Sequence, residues 1–173
     1  MTVAMTERPT AAEHIPYYEQ YIRLAPDGDI LATLARQIET TTAFFARLTP
    51  EQATWRPAPG EWCATDIVGH LADAERLFAN RAWRLARGDM QLPEPMEPDD
   101  YAAVADYARR PLGEVLDELA AQRAATLALL RGLDAVAWAR RAPESWSCRS
   151  VRGFAYILAG HEIHHLNDVR DRL

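Results

Sequence analysis

The sequence contains no lysine, and all 19 of its basic residues are arginine. This absence excludes Schiff-base chemistry on a lysine and a Walker-type phosphate-binding lysine. The chain also has no basic excess, because 25 acidic residues give it a formal net charge of -6. Nucleic-acid-binding proteins normally present a basic face, so no nucleic-acid partner is expected.

Long apolar runs and paired cysteine motifs are absent as well. The sequence has no apolar stretch long enough to span a membrane, and residues 1–13 hold no apolar run, so we expect neither a membrane partner nor a signal peptide. The only two cysteines, Cys63 and Cys148, lie far apart in the chain and form no C-x-x-C or zinc-ribbon spacing. We therefore expect a cytoplasmic protein with free thiols.

What the chain does have is the composition of one globular domain. It has 173 residues, of which 49% are apolar and 25% charged. This length is sufficient to bury a core without disulfides. We predict a single domain over residues 1–173, with residues 1–13 as a flexible N-terminal tail.

Apolar residues recur at three- and four-residue steps, the period of amphipathic helices. No segment alternates convincingly at period two, so no sheet is expected. Prolines within residues 89–100 predict a long exposed connection, followed by a short helix over residues 101–108. These patterns predict an all-α four-helix bundle. Its four main helices are expected over residues 29–48, 64–87, 112–131 and 148–171.

A weak internal repeat supports pairing these helices two by two. Four residues of the first half have counterparts about half the chain length further on. In order, Leu48, Trp55, Trp62 and Gly69 correspond to Leu133, Trp138, Trp146 and Gly153. The repeat predicts two αα-hairpins of similar build joined by the long crossover. It also makes Ser147 the expected N-cap of the last helix, with Cys63 at the equivalent place.

Three of the five histidines lie within residues 161–165. On a helix, His161 and His165 leave the same face one turn apart, a spacing that lets two imidazoles bind one metal ion. Phe154, Leu158 and Val169 share that face. The pair is therefore expected to point into the bundle.

His70 lies on another inward stripe, beside Ala74 and Leu77. A single inward histidine is typical of a hydrogen-bonded core residue, but three unpartnered buried imidazoles would cost roughly 1–3 kcal/mol each. A shared metal would satisfy all three, and the bundle permits His70 to meet the pair without requiring it. His164 is expected at the rim, and His14 at the surface.

Residues 161–165 also satisfy H-E-x-x-H, in which two histidines hold zinc and the glutamate is the general base of a protease. The sequence ends soon after His165, which leaves no room for the downstream ligand and the cleft wall of such proteases. Proteolysis is therefore not expected.

Two segments resemble the DinB-like (YfiT-like) superfamily: residues 62–75, Trp-Cys-Ala-Thr-Asp-Ile-Val-Gly-His-Leu-Ala-Asp-Ala-Glu, and residues 160–166, Gly-His-Glu-Ile-His-His-Leu. The resemblance extends from about Tyr17 to the last residue. It implies an up-up-down-down four-helix bundle with a metal site whose ligands are His70, His161 and His165. Asp73 and Asp168, each near a ligand, become candidates to orient one of them. Relatives often have glutamine at the position of Asp168.

The resemblance also implies an activity. Several relatives transfer a thiol of the bacillithiol, mycothiol or glutathione type to an electrophile, and a homodimer is expected by analogy. Three neutral nitrogens with open positions suit Zn²⁺, Ni²⁺ or Fe²⁺. The alternatives are a non-catalytic metal-binding, sensing or stress-response bundle, and a structural bundle with buried histidines.

Two further groups of residues are compatible with more than one role. Arg76, Arg81 and Arg152 could bind the carboxylates of a small thiol, or lie on a solvated helix face. Cys63, at a helix N-terminus, has either a lowered pKa or a role as a cap and buried filler.

Overall fold

The computed structural model describes residues 7–172, which form eight α-helices and contain no β-strand. Short 3₁₀ helices lie at Ala11–Glu13, Pro16–Tyr18 and Tyr107–Arg109. The α-helices are α1 (Glu19–Ile22), α2 (Ile30–Phe45), α3 (Pro50–Thr54), α4 (Ala64–Ala86), α5 (Pro98–Ala105), α6 (Leu112–Arg131), α7 (Ala135–Trp138) and α8 (Val151–Arg170). None of the helices in this part of the chain is long and apolar enough to cross a membrane.

The four long helices α2, α4, α6 and α8 form the predicted four-helix bundle. Helix α4 packs against α6 and α8, and helix α2 packs against the same two. The two helices of each expected hairpin, α2 with α4 and α6 with α8, therefore lie diagonally across the core, so the pairing predicted from the repeat does not take the form of adjacent hairpins. The arrangement places α4 beside α8, the two helices that carry the histidines.

Helix starts follow local capping. The Asp29 carboxylate accepts hydrogen bonds from the backbone N–H groups of Leu31 and Ala32, which starts α2. Cys63 precedes α4 as expected, and Asp66 accepts from its backbone N–H at 3.0 Å.

The predicted N-cap Ser147 is wrong, because Ser150 caps α8 through its Oγ. The reason is a long-range pairing: the N–H of Ile15 donates to the Ser147 carbonyl, and the N–H of Arg149 donates to the Glu13 carbonyl. These bonds hold the segment before α8 extended, so the helix begins later than its apolar pattern predicts.

The N-terminal segment is packed from Arg8 onward, which corrects the expected tail; residues 1–6 lie outside the described part of the chain. Arg8 donates to the carbonyls of Ile22 and Ala25. The predicted surface position of His14 is also wrong: its side chain is buried, and its Nδ1 lies 3.0 Å from the Ile15 carbonyl oxygen. The helical period carries no signal for this packing, because the contacts of Arg8 are with residues far along the chain.

Glu13 anchors this segment and predicts an acid-sensitive contribution to stability. Its buried carboxylate accepts from Arg152 and lies 3.2 Å from Arg141. Burial raises the pKa of Glu13, but the hydrogen bonds from Arg152 and others outweigh it and lower the pKa from 4.5 to about 2. Because the folded pKa is depressed, the contribution is present above pH 4.5 and is lost as the pH falls towards 2.

Glu13→Gln should therefore lower the unfolding free energy at pH 7 and flatten its decline as the solution is acidified. The expected difference at neutral pH is on the order of 2 kcal/mol. Urea unfolding at several pH values measures it, and parallel declines for variant and wild type would contradict the assignment.

Helix α1 reaches the core through a close approach to α8. A Cβ atom at Gly160 would overlap the backbone carbonyl of Tyr21, so only glycine fits between the two helices. Gly160→Ala should push α1 away and lower the unfolding free energy by about 3 kcal/mol.

Gly113, near the start of α6, is the matched control, because a Cβ there meets nothing within 4 Å. Gly113→Ala should raise the unfolding free energy by about 0.5–1 kcal/mol, since alanine is the better helix former. Urea denaturation compares the two, and equal effects would show that the Tyr21 contact is not the cause.

Candidate metal centre

The side chains of His70, His161 and His165 converge between α4 and α8. The Nε2 of His161 lies 3.1 Å from the Nε2 of His70 and 3.1 Å from the Nε2 of His165. All three ligand atoms lie within 4.8 Å of one another. The structure thus brings together the three histidines named from the sequence, including His70, which spacing alone left open.

The three imidazoles are held in their neutral form. Burial lowers the pKa of His70 from 6.5 to about 4 and that of His165 to about 3. The pKa of His161 is also lowered, by burial first and then by its neighbouring histidines. A neutral imidazole is the form that offers a lone pair to a cation.

Aromatic rings fix the orientation of the cluster. The Trp62 ring lies 4.7 Å from the His70 ring, and the Tyr21 ring lies edge-on to His161 at 5.1 Å, between centroids. The hydroxyl groups of Tyr21 and Tyr17 are hydrogen-bonded to each other at 3.1 Å. Burial raises the pKa of Tyr21, so its hydroxyl stays neutral.

The cluster forms part of the wall of a cavity of about 670 Å³. Most of the lining is aromatic or apolar, and the connection between α4 and α5 supplies one side through Leu92, Pro93, Pro95 and Met96. The connection predicted to be simply exposed is therefore also a wall of this cavity. A cavity of this size and character accommodates a small organic molecule.

Asp168 lies on the far side of His165 from the cluster. Its Oδ2 is 3.4 Å from the His165 Nδ1 and 3.6 Å from the His164 Nε2. A carboxylate near the outer nitrogen of an imidazole favours the tautomer whose Nε2 is free to bind. His164 itself is half-buried at the rim, as the helical geometry predicts.

Asp73 does not contact His70 in the structure. It accepts from the Tyr107 hydroxyl at 2.9 Å and pairs with Arg76 at 3.0 Å. The Tyr107 ring packs directly on Gly69, where a Cβ would overlap it. Asp73 therefore fixes the residue that covers the backbone next to His70.

Cys63 is a cap and not a reactive thiol. It is 1% exposed, and its Sγ donates to Asp66 Oδ2 at 3.1 Å. Burial raises the pKa of this thiol, which opposes the lowering expected at a helix N-terminus.

A buried ionic cluster beside the histidines was missed by sequence reasoning. Arg123 in α6 is 1% exposed and donates to Glu75 in α4, to Glu162 in α8 and to the Leu34 carbonyl in α2. Glu162, the glutamate of the H-E-x-x-H match, is thus bound to Arg123 at 2.7 Å. This contact supports the rejection of proteolysis, where that glutamate would be a free general base.

The fold and the convergent histidines define an all-helical protein with a candidate metal centre, and comparison with known proteins identifies its family. The family model of the DinB superfamily matches residues 33–169, so the chain belongs to the DinB superfamily. No curated protein sequence matches the chain.

Among solved structures, the chain is similar to one described as "YfiT from Bacillus subtilis is a probable metal-dependent hydrolase with an unusual four-helix bundle topology". The TM-score is 0.69 and the identity 16%, and the match covers 96% of this chain and 93% of YfiT. At this identity the likeness establishes the fold.

Proposed function

We propose that this protein is a metal-dependent enzyme that holds a divalent cation on His70, His161 and His165 and transfers a low-molecular-weight thiol to an electrophile. The observation that carries the proposal is the convergence of three neutral Nε2 atoms on one wall of an apolar cavity. The cytoplasmic location and the homodimer expected from the sequence and the family belong to the same proposal.

The residues fit a cation. Three nitrogens bound to one tetrahedral ion at 2.0–2.1 Å lie roughly 3.3 Å apart, close to the 3.1 Å that separates the His161 Nε2 from the Nε2 of His70 and from that of His165. Three neutral Nε2 atoms that face one another cannot all be satisfied by each other, because each has either one proton or one lone pair. Three protein ligands also leave a position open, as catalytic sites do.

Each group of residues has a defined task in this proposal. A divalent ion held by His70, His161 and His165 would supply a thiolate at neutral pH, because it would lower the pKa of a bound thiol. Asp168 holds His165 in the binding tautomer, while Trp62 and Tyr21 fix the rings of His70 and His161. The aromatic cavity wall excludes water from the thiol and the electrophile.

The thiol substrate is supported by the family resemblance, and the description of YfiT supports hydrolysis as a second candidate. Both reactions would draw on the same chemistry of the bound cation, which would activate a thiol in the first and a water molecule in the second. A non-catalytic metal-binding bundle is the third candidate.

One experiment tests the transferase against the other two candidates. The purified protein is loaded with Zn²⁺, Ni²⁺, Mn²⁺ or Fe²⁺, its metal content is measured, and it is then assayed with bacillithiol, mycothiol or glutathione plus monochlorobimane. Metal-dependent conjugation with one thiol supports the proposal. Stoichiometric metal without thiol turnover contradicts the transferase, and no stoichiometric metal contradicts the centre itself.

A further inference from the structure

A buried arginine in the cavity has no carboxylate partner within residues 7–172. Arg81 of α4 is 9% exposed and lines the cavity that contains the histidines. Its Nη2 donates to the Glu94 carbonyl at 2.8 Å, while its Nε has no hydrogen-bond partner in the described part of the chain. Burial lowers the pKa of Arg81. A buried cation without a counter-ion is costly, so this position favours an incoming anion.

The other two candidate arginines are already neutralised. Arg76 pairs with Asp73 and Glu118, and Arg152 pairs with Glu13 and Glu7. Neither lines the cavity. Of the three, Arg81 alone combines access to the cavity with an uncompensated charge.

Arg81 and His70 lie on the same stripe of α4. They are separated by about three helical turns, which places their Cα atoms roughly 16 Å apart. Ala74, Leu77 and Phe78 of the same stripe line the cavity between them. Helical side chains tend to lean towards the N-terminus of their helix, which on α4 is the direction of His70.

A continuous aromatic wall connects the histidines to the far end of the cavity. The Phe78 ring lies 6.3 Å from the His161 ring and 6.1 Å from the Phe154 ring, and Phe154 lies 6.5 Å from Trp146. Trp146 is 2% exposed, and its Nε1 is a second buried donor without a partner among the described residues.

We propose that the cavity binds an elongated organic anion whose carboxylate pairs with Arg81, whose middle lies along Phe78 and Phe154, and whose other end reaches the histidines. A planar guanidinium suits a carboxylate, and the distance to His70 sets the length of the molecule. The proposal deepens the proposed function, on which it rests for the role of the histidine end.

The test uses chain length and charge as separate variables. Binding of mercaptoacetate, mercaptohexanoate, mercaptooctanoate and mercaptoundecanoate, each with its mercapto-alcohol counterpart, is measured by calorimetry on the Zn²⁺-loaded protein. A long mercapto-carboxylate should bind roughly tenfold tighter than its mercapto-alcohol counterpart. Mercaptoacetate is too short to reach both Arg81 and the histidines, so it should bind no tighter than its alcohol.

Arg81→Met should reduce this carboxylate-to-alcohol ratio to about one, and Arg81→Lys should retain part of it. Arg84→Met is the matched control, because Arg84 of the same helix pairs with Asp89 and does not line the cavity. An unchanged ratio in Arg81→Met overturns the proposal. An equal loss of acid and alcohol binding also overturns it, because that result assigns Arg81 only to holding the Glu94 carbonyl.

Octanoate, which has no thiol, tests the anion end independently of the metal. It should bind the metal-free protein through Arg81, more weakly, and lose that binding in Arg81→Met. Failure to bind Zn²⁺ would overturn the proposed function, whereas absence of Arg81-dependent octanoate binding would overturn this inference.

Discussion

Replacing His161 with alanine should abolish metal binding and, with it, the proposed activity. His161 is the central member of the cluster, with its Nε2 3.1 Å from both other nitrogens. Its removal leaves two ligands, too few for a three-histidine site. Wild-type protein at a thousandfold excess of Zn²⁺ over its Kd should gain about 4 kcal/mol of stability, and the variant should gain almost none.

His164→Ala is the matched control, because His164 lies on the adjacent turn but its Nε2 faces Asp168 at 3.6 Å and not the cluster. This variant should keep the Zn²⁺ stabilisation of the wild type. The measurements are the metal content and the melting temperature with and without a chelator. If a chelator leaves the melting temperature of the wild type unchanged, the histidines are a structural cluster.

Replacing Arg123 with methionine should have the largest effect on stability. Arg123 is the cation of a buried cluster that contains two carboxylates, those of Glu75 and Glu162, each 2% exposed as a side chain. Its removal leaves both without a counter-ion, a change that typically costs about 3–5 kcal/mol. Small domains have about 5–15 kcal/mol in total, so much of the fold's stability depends on this side chain.

Urea unfolding of Arg123→Met against Arg131→Met, an exposed arginine at the end of the same helix, measures the effect. If the first variant does not fold, the triple variant with Glu75→Gln and Glu162→Gln should recover soluble protein, because it removes the uncompensated charges. Wild-type stability of Arg123→Met alone would show that the two carboxylates do not need the arginine as a counter-ion.

The sequence predicts features of this protein that depend on neighbours along one helix. Helix α6 has the predicted limits, Leu112–Arg131, and His161 and His165 share a face because they are one helical turn apart. Features that depend on distant chain segments could not be read in this way. The late start of α8 depends on Glu13 and Ile15, which come from the opposite end of the chain.

The candidate site shows the same division. The meeting of His70 with His161 depends on the packing of α4 against α8, which only the family resemblance indicated. The Arg123 cluster joins residues of four helices, and no spacing within one helix shows it. The sequence also does not show that Arg81 lacks a carboxylate partner among the described residues. Arg84 of the same helix has such a partner, and nothing in the spacing distinguishes the two arginines.

The prolines of the connection between α4 and α5 have a consequence for the thermodynamics of binding. Pro93 and Pro95 of this connection line the cavity together with Pro98, the first residue of α5, and each has its φ angle fixed by its ring. The unbound wall consequently has few backbone conformations to lose when a ligand enters. Recognition in this cavity should carry a small entropic penalty from the protein, so most of the conformational entropy lost on binding should come from the ligand.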